Sequence, residues 1–208
     1  MPYSKIILAS TNNGKLTEFN YLLQQAPFQL TNLHDYGIEQ TNEPFPTFIE
    51  NALVKARYAS QLSNLPALGD DSGLVVPSLG GAPGIYSARY ANSNSKDRND
   101  VANNKKLVEE LKKVTDRRAY YYCALVLVAS HNDPCPIVAE GLWHGQLLLE
   151  PKGENGFAYD PYFYVPRLAR TVGELIFEEK NLYSHRSQAV THLLRQINSR
   201  HLSFKTTK

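Results

Sequence analysis

Hydrophobic and polar positions along the chain switch between two periods, and the switches mark out the elements. Lys5 to Ala9 (KIILA) is a continuous apolar run, the pattern of a buried strand. Ser10 to Gly14 is turn chemistry, and Lys15 to Gln25 then carries Leu16, Phe19, Leu22 and Leu23 at helical spacing. Strand, polar turn, helix is the order in which α/β proteins present a ligand site at the carboxyl end of a strand. Phe28 to Leu33 reads as a second strand. Thr47 to Leu62 reads as a helix, with Thr47 and Glu50 as a capping box and Phe48, Ala52, Ala56 and Ala59 as an apolar stripe.

Leu65 to Leu68 and Leu74 to Val76 look like strand pieces on either side of a turn, Gly69-Asp70-Asp71-Ser72-Gly73. A Gly/Pro-rich stretch follows at Gly80 to Gly84. Asp97 to Val114 has a helical pattern. Tyr120 to Ala129 is rich in aromatic and β-branched residues; with Ile137 to Ala139 and Leu142 to Leu149 it predicts long paired strands. Cys123 falls inside one of them. Gly153 to Pro161 reads as a loop and Ser184 to Ile197 as a terminal helix. The pattern predicts one mixed α/β domain over residues 1–208, a central sheet of long strands flanked by helices, with the conspicuous polar residues in turns.

Charge narrows the function. Lys plus Arg number 22 against 20 for Asp plus Glu, a net charge of only +2. A protein that held nucleic acid through its phosphates would carry a strong basic excess, so any anion is expected to meet a few placed cations. The two cysteines make neither a C-x-x-C pair nor a zinc spacing, and no H-E-x-x-H occurs among the six histidines. The opening MPYSKIILAS lacks the apolar core of a signal peptide, and no apolar run reaches the roughly 20 residues of a membrane helix. A cytoplasmic location, with no membrane partner, is the expectation.

Several segments carry candidate chemistry. In Ser10-Thr11-Asn12-Asn13-Gly14-Lys15, a Gly-Lys pair at a helix start favours a phosphate, through backbone N–H groups, the helix dipole and the lysine charge. It is not a Walker A loop, and a solvated polar turn fits these residues equally well. Asp70 and Asp71 repel unless a cation lies between them, and a hard ion such as Mg²⁺ takes carboxylate and phosphate oxygens together. An ordinary exposed turn accounts for the pair about as well. Asn51 and Lys55 share a helix face, and Glu43 in the preceding loop is free to reach a metal. Phe157 and Asp160 offer a ring for stacking and a carboxylate for a base edge. Lys180, His185 and Arg186 offer an anion or a purine edge three donors.

The segments occur in a specific order: ILASTNNGK, TFIENALVKA, GDDSGL, GGAPGIYSARYA, GFAYDPYF, then EK followed by SHR. In this order they resemble the ITPase family, the inosine/xanthosine triphosphate pyrophosphatases, from about Ile7 to Leu194. The resemblance implies a fold of two lobes around a cleft, usually a homodimer. It also implies Mg²⁺-dependent hydrolysis of ITP, dITP and XTP to monophosphate and pyrophosphate, a nucleotide substrate and no nucleic-acid partner. Carried over by motif, Ser10, Thr11, Asn12, Asn13, Gly14 and Lys15 would cradle the triphosphate, with Lys55 as a second cation. Glu43 and Asp71 would hold magnesium, Asp71 would also be the catalytic base, and Ser72 would touch substrate. Phe157, Ala158, Tyr159 and Asp160, with Lys180, His185 and Arg186, would form the purine pocket. The chain departs from the family pattern at Ala158, where Gly is usual, and at Gly69, where Ala is usual. A modified-pyrimidine pyrophosphatase and a non-catalytic nucleotide sensor are the competing readings.

Overall fold

The computed structural model describes residues 4–92 and 98–200. Its centre is a seven-stranded mixed sheet in the order β2-β1-β3-β4-β5-β6-β7. The strands are β1 (Ser4–Leu8), β2 (Phe28–Asn32), β3 (Ala67–Val75), β4 (Arg118–Val128), β5 (Ile137–Leu147), β6 (Phe163–Val165) and β7 (Arg170–Thr171). β1 pairs in parallel with both β2 and β3, whereas β6 pairs antiparallel with β5 and β7. The helices are α1 (Asn13–Leu22), α2 (Phe48–Ser63), α3 (Asp100–Leu111), α4 (Phe177–Tyr183) and α5 (His185–Ser199).

The chain divides into two compact units. The first comprises residues up to 71, 123–141 and those from 186 onward. Its core joins Ile6, Leu8, Phe19, Phe28, Leu68, Cys123, Leu125, Ile137, Leu193 and Ile197. β1 has strand neighbours on both sides, and Ile6, Ile7 and Leu8 are fully buried, which is why its sequence is a continuous apolar run rather than an alternation. The second unit comprises residues 72–122 and 142–185. Leu74, Leu107, Leu111, Tyr121, Trp143, Tyr159, Phe163 and Val172 form its core. β5 alternates buried and exposed positions along its length, the signature of a strand with one covered face.

Most predicted elements are present, with shifted ends. Thr47 caps α2 by accepting the Glu50 N–H, and its hydroxyl donates to the Glu50 carboxylate at 2.6 Å. α3 begins at Asp100, capped by Asn99, and the predicted start at Asp97 lies outside the described residues. The two strand pieces at Ile137 and Leu142 are one strand, β5. The pattern did not predict α4 or the short strands β6 and β7.

One expectation is overturned. Gly69 to Gly73 is not a turn, because β3 runs unbroken from Ala67 to Val75 and buries both aspartates within it. Gly69 serves close packing instead: a Cβ there would stand 1.9 Å from the Ala52 carbonyl oxygen of α2. The charges that suggested a surface are neutralised by lysines arriving from other elements.

Candidate functional site

In the first unit the loop after β1 leads into the amino terminus of α1. Asn12 is the cap: its Oδ1 accepts the Lys15 N–H at 3.1 Å, and its own N–H donates to Ser10 Oγ at 3.2 Å. The Thr11 hydroxyl donates to Gln40 at 2.7 Å. Asn13 and Gly14 form the first helical positions. The Lys15 ammonium is not a solvated surface charge; it sits 2.6 Å from Asp70 Oδ2.

The loop before α2 is pinned by Asn51, a fully buried residue. Its Oδ1 accepts from the Phe45 N–H at 3.0 Å and its Nδ2 donates to the Phe45 carbonyl at 3.1 Å. That pair of hydrogen bonds fixes the loop in which Glu43 meets Lys55, one helical turn along from Asn51. The Lys55 ammonium donates to Glu43 Oε1 at 2.8 Å and to Asp71 Oδ1 at 3.0 Å. Two residues far apart in sequence, Glu43 and Asp71, therefore flank one cation.

This pair fits a divalent ion. Asp71 Oδ2 is buried with no hydrogen-bond partner among the described residues, and an oxygen left in that condition costs stability unless something positive meets it. Burial pushes the Asp71 carboxyl above its ordinary range; Lys55 opposes the rise and the neighbouring Glu43 charge adds to it. Among the described residues no group of three or more His, Cys, Asp or Glu could hold an ion by itself. A cation between Glu43 and Asp71 would thus complete its shell with oxygens from outside the protein, as Mg²⁺ does with phosphates.

Asp70 is differently placed. Burial alone would raise its carboxyl, but Lys15, then Arg186 and Lys55, outweigh burial and hold it well below the usual carboxylate range. The Cys123 thiol donates to its Oδ1 at 3.3 Å. Arg186 donates to Glu18 at 2.7 Å, and both are buried. Arg186 therefore belongs to the charge network of the first unit; the other residues expected around a purine are Phe157, Ala158, Tyr159, Asp160, Lys180 and His185.

Those others meet in the second unit. Asp160 is buried and accepts three bonds: from the Phe157 N–H at 2.9 Å, the Lys180 ammonium at 2.9 Å and the Tyr121 hydroxyl at 2.9 Å. A side chain on Gly156 (φ +78°) would stand 2.2 Å from Asp160 Oδ2, so the carboxylate needs glycine there. The Lys180 ammonium lies 4.4 Å from the centroid of the Phe157 ring and the Arg98 guanidinium 5.1 Å from it. Tyr159 is buried, with its hydroxyl donating to the Ser87 carbonyl at 2.7 Å. His185 stacks on Tyr121 with centroids 4.8 Å apart. Ser72 lies half-buried in β3, next to Asp71.

Ala158 has φ +56°, the left-handed region that favours glycine. Two bonds from α3 hold it there: its N–H donates to Asp100 at 3.1 Å, and its carbonyl accepts from Asn104 Nδ2 at 2.9 Å. Asp100, Asn104, Tyr121 and Glu18 are absent from the residues singled out in the sequence. Asp100 and Asn104 are four apart at the start of a helix, but nothing local says that their partner lies more than fifty residues away.

In chemical terms, the first unit is that of an α/β protein that sets Lys15 and Lys55 against Asp70, Asp71 and Glu43 beside the start of α1. The chain belongs to the Ham1 family, whose model matches residues 6–196. It is 53% identical over 195 residues to a protein of Neisseria meningitidis named dITP/XTP pyrophosphatase, covering 93% of this chain and 96% of that one. A Bordetella pertussis protein of the same name is 50% identical over 193 residues, covering 93% and 91%. Among solved structures, a HAM1 protein from Coxiella burnetii superposes with a TM-score of 0.87 at 40% identity, covering 94% of this chain and 99% of that one. The Staphylococcus aureus Ham1 protein gives 0.83 at 36% identity, covering 95% and 100%.

Proposed function

We propose that this protein hydrolyses non-standard purine nucleoside triphosphates (ITP, dITP and XTP) to the monophosphate and pyrophosphate, cleansing the nucleotide pool. The observation that carries the reading is the Glu43–Lys55–Asp71 constellation, in a chain half identical to proteins named dITP/XTP pyrophosphatase.

Ser10 to Lys15 would receive the polyphosphate tail at the start of α1. Lys15 and Lys55 would offset the charge that accumulates on the departing pyrophosphate. Asp71 would take the proton of the attacking water. Glu43 and Asp71 would hold Mg²⁺, which supplies charge neutralisation on phosphate oxygens and orients them for in-line attack. Ser72 would touch the substrate beside Asp71.

In the second unit the base would meet Phe157, Ala158, Tyr159, Asp160, Lys180 and His185, with Arg186 following directly in sequence. Donors that suit a 6-oxo edge would face an amino group in ATP and stay unpaired, which is expensive when buried. The same reading takes the protein to be a cytoplasmic homodimer. No helix among the described residues is long and apolar enough to cross a membrane.

The deciding experiment is a product assay over ITP, XTP, dITP, ATP and GTP with Mg²⁺ and separate detection of pyrophosphate and orthophosphate. Pyrophosphate from the first three, abolished by chelation and restored by Mg²⁺, is expected. Orthophosphate with a diphosphate as first product would make the protein a phosphatase and overturn the reading. Tight ITP binding without turnover would make it a sensor.

A further inference from the structure

Tyr121 lies in β4, in a run of three tyrosines whose sequence suggests nothing beyond strand propensity. Its surroundings are more specific. It is 6% exposed, so its hydroxyl must find a partner inside the protein. That partner is Asp160 Oδ1, at 2.9 Å. The other oxygen of the same carboxylate is engaged by the Phe157 N–H and the Lys180 ammonium. The face of the Tyr121 ring stacks on His185 at an interplanar angle of 15°. Phe163 packs against the ring as well, with centroids 4.5 Å apart.

We infer that Tyr121 is a positioning residue for purine recognition, acting through Asp160. This rests on the function proposed above. A carboxylate held at only one oxygen can swing about its Cβ–Cγ bond. Held at both, it presents a fixed acceptor to Lys180 and to the loop that carries Phe157. Tyr121 supplies the second anchor, and its ring sets the plane of His185. The neighbouring Tyr120 has no such role: its ring meets His144, at 5.6 Å.

The test compares wild-type protein with Tyr121→Phe, which keeps the ring and removes the hydroxyl. Calorimetry with Mg²⁺ uses two probes, inosine monophosphate for the base and inorganic tripolyphosphate for the tail. Affinity for inosine monophosphate should fall about tenfold, as expected for loss of a hydrogen bond to a buried charge. Tripolyphosphate affinity should stay within about twofold, and KM for ITP should rise with kcat nearly unchanged. The ring-proton shift of His185 should persist, showing that the stack survives. Tyr120→Phe should match wild type, and adding Tyr121→Phe to Asp160→Ala, which leaves the hydroxyl no acceptor at that position, should cost nothing further.

Unchanged inosine monophosphate affinity would overturn the assignment. So would equal losses for both probes, or loss of the His185 stack, either of which would indicate general damage. Wild-type protein that neither binds inosine monophosphate nor releases pyrophosphate from ITP would overturn the proposed function itself, and this assignment with it.

Discussion

Adjacent aspartates in one strand have opposite electrostatics because cations outweigh burial at Asp70, whereas burial and the Glu43 charge prevail at Asp71. Asp70 faces Lys15 and is held ionised; Asp71 shares Lys55 with Glu43 and keeps one oxygen without a hydrogen-bond partner among the described residues. If Asp71 is the base, Asp71→Asn should lower turnover by about 10²–10⁴-fold. Steady-state kinetics returning near-normal kcat would remove it from that role. Asp70 has a carboxyl depressed in the folded state, so its contribution is complete above the unfolded value near 3.8 and is lost as pH falls below it. The metal-free protein should therefore hold its melting temperature from neutrality down to about pH 5 and lose it steeply below about pH 4. Asp70→Asn should flatten that descent. Ala158 is a third case. Its left-handed backbone costs alanine about 1–2 kcal/mol, against about 0.5–1 kcal/mol of chain entropy lost by glycine. Ala158→Gly should thus stabilise by up to about 1 kcal/mol in urea unfolding, and a lower midpoint would contradict this.

Strands and helices here are set partly by what they touch. β1 could be read directly as an unbroken apolar run, and β5 as two strand pieces that the structure joins into one. β3 could not, because Gly-Asp-Asp-Ser-Gly has the composition of a turn. It is a strand because α2 lies against it at Gly69 and because lysines from α1 and α2 neutralise its charges. Gly69→Ala places a methyl within 1.9 Å of a helix carbonyl, so α2 and Lys55 must move. The expected result is a loss of about 1–3 kcal/mol together with weaker Mg²⁺ activation, read by calorimetric melting and a metal titration. Retention of both would mean that the helix shifts freely. α4 was missed because it is only seven residues long and keeps Leu182 exposed, so it lacks an apolar stripe.

Burial over the whole chain separates the two thiols. Cys123 is fully buried in the core of the first unit; burial, then the Asp70 charge, pushes its thiol well above the ordinary value. Cys135 is exposed. A thiol reagent should modify Cys135 at once and Cys123 only after denaturant opens that core. Rapid modification of both in the native state would show that this core opens locally.

Local pattern was enough for the α/β alternation, the cap at Thr47, and the charged and aromatic residues proposed for a nucleotide site. Those features depend on neighbours within a few positions, where spacing translates directly into a face or a turn. The pairing of Glu43 with Asp71 through Lys55, the three bonds to Asp160 and the placement of Arg186 beside Glu18 depend on residues up to 168 positions apart. Such contacts exist only once the sheet has brought β3, β4 and the helix starts together. Their charges and burial are properties of the assembled molecule, with no trace in any short stretch of the chain.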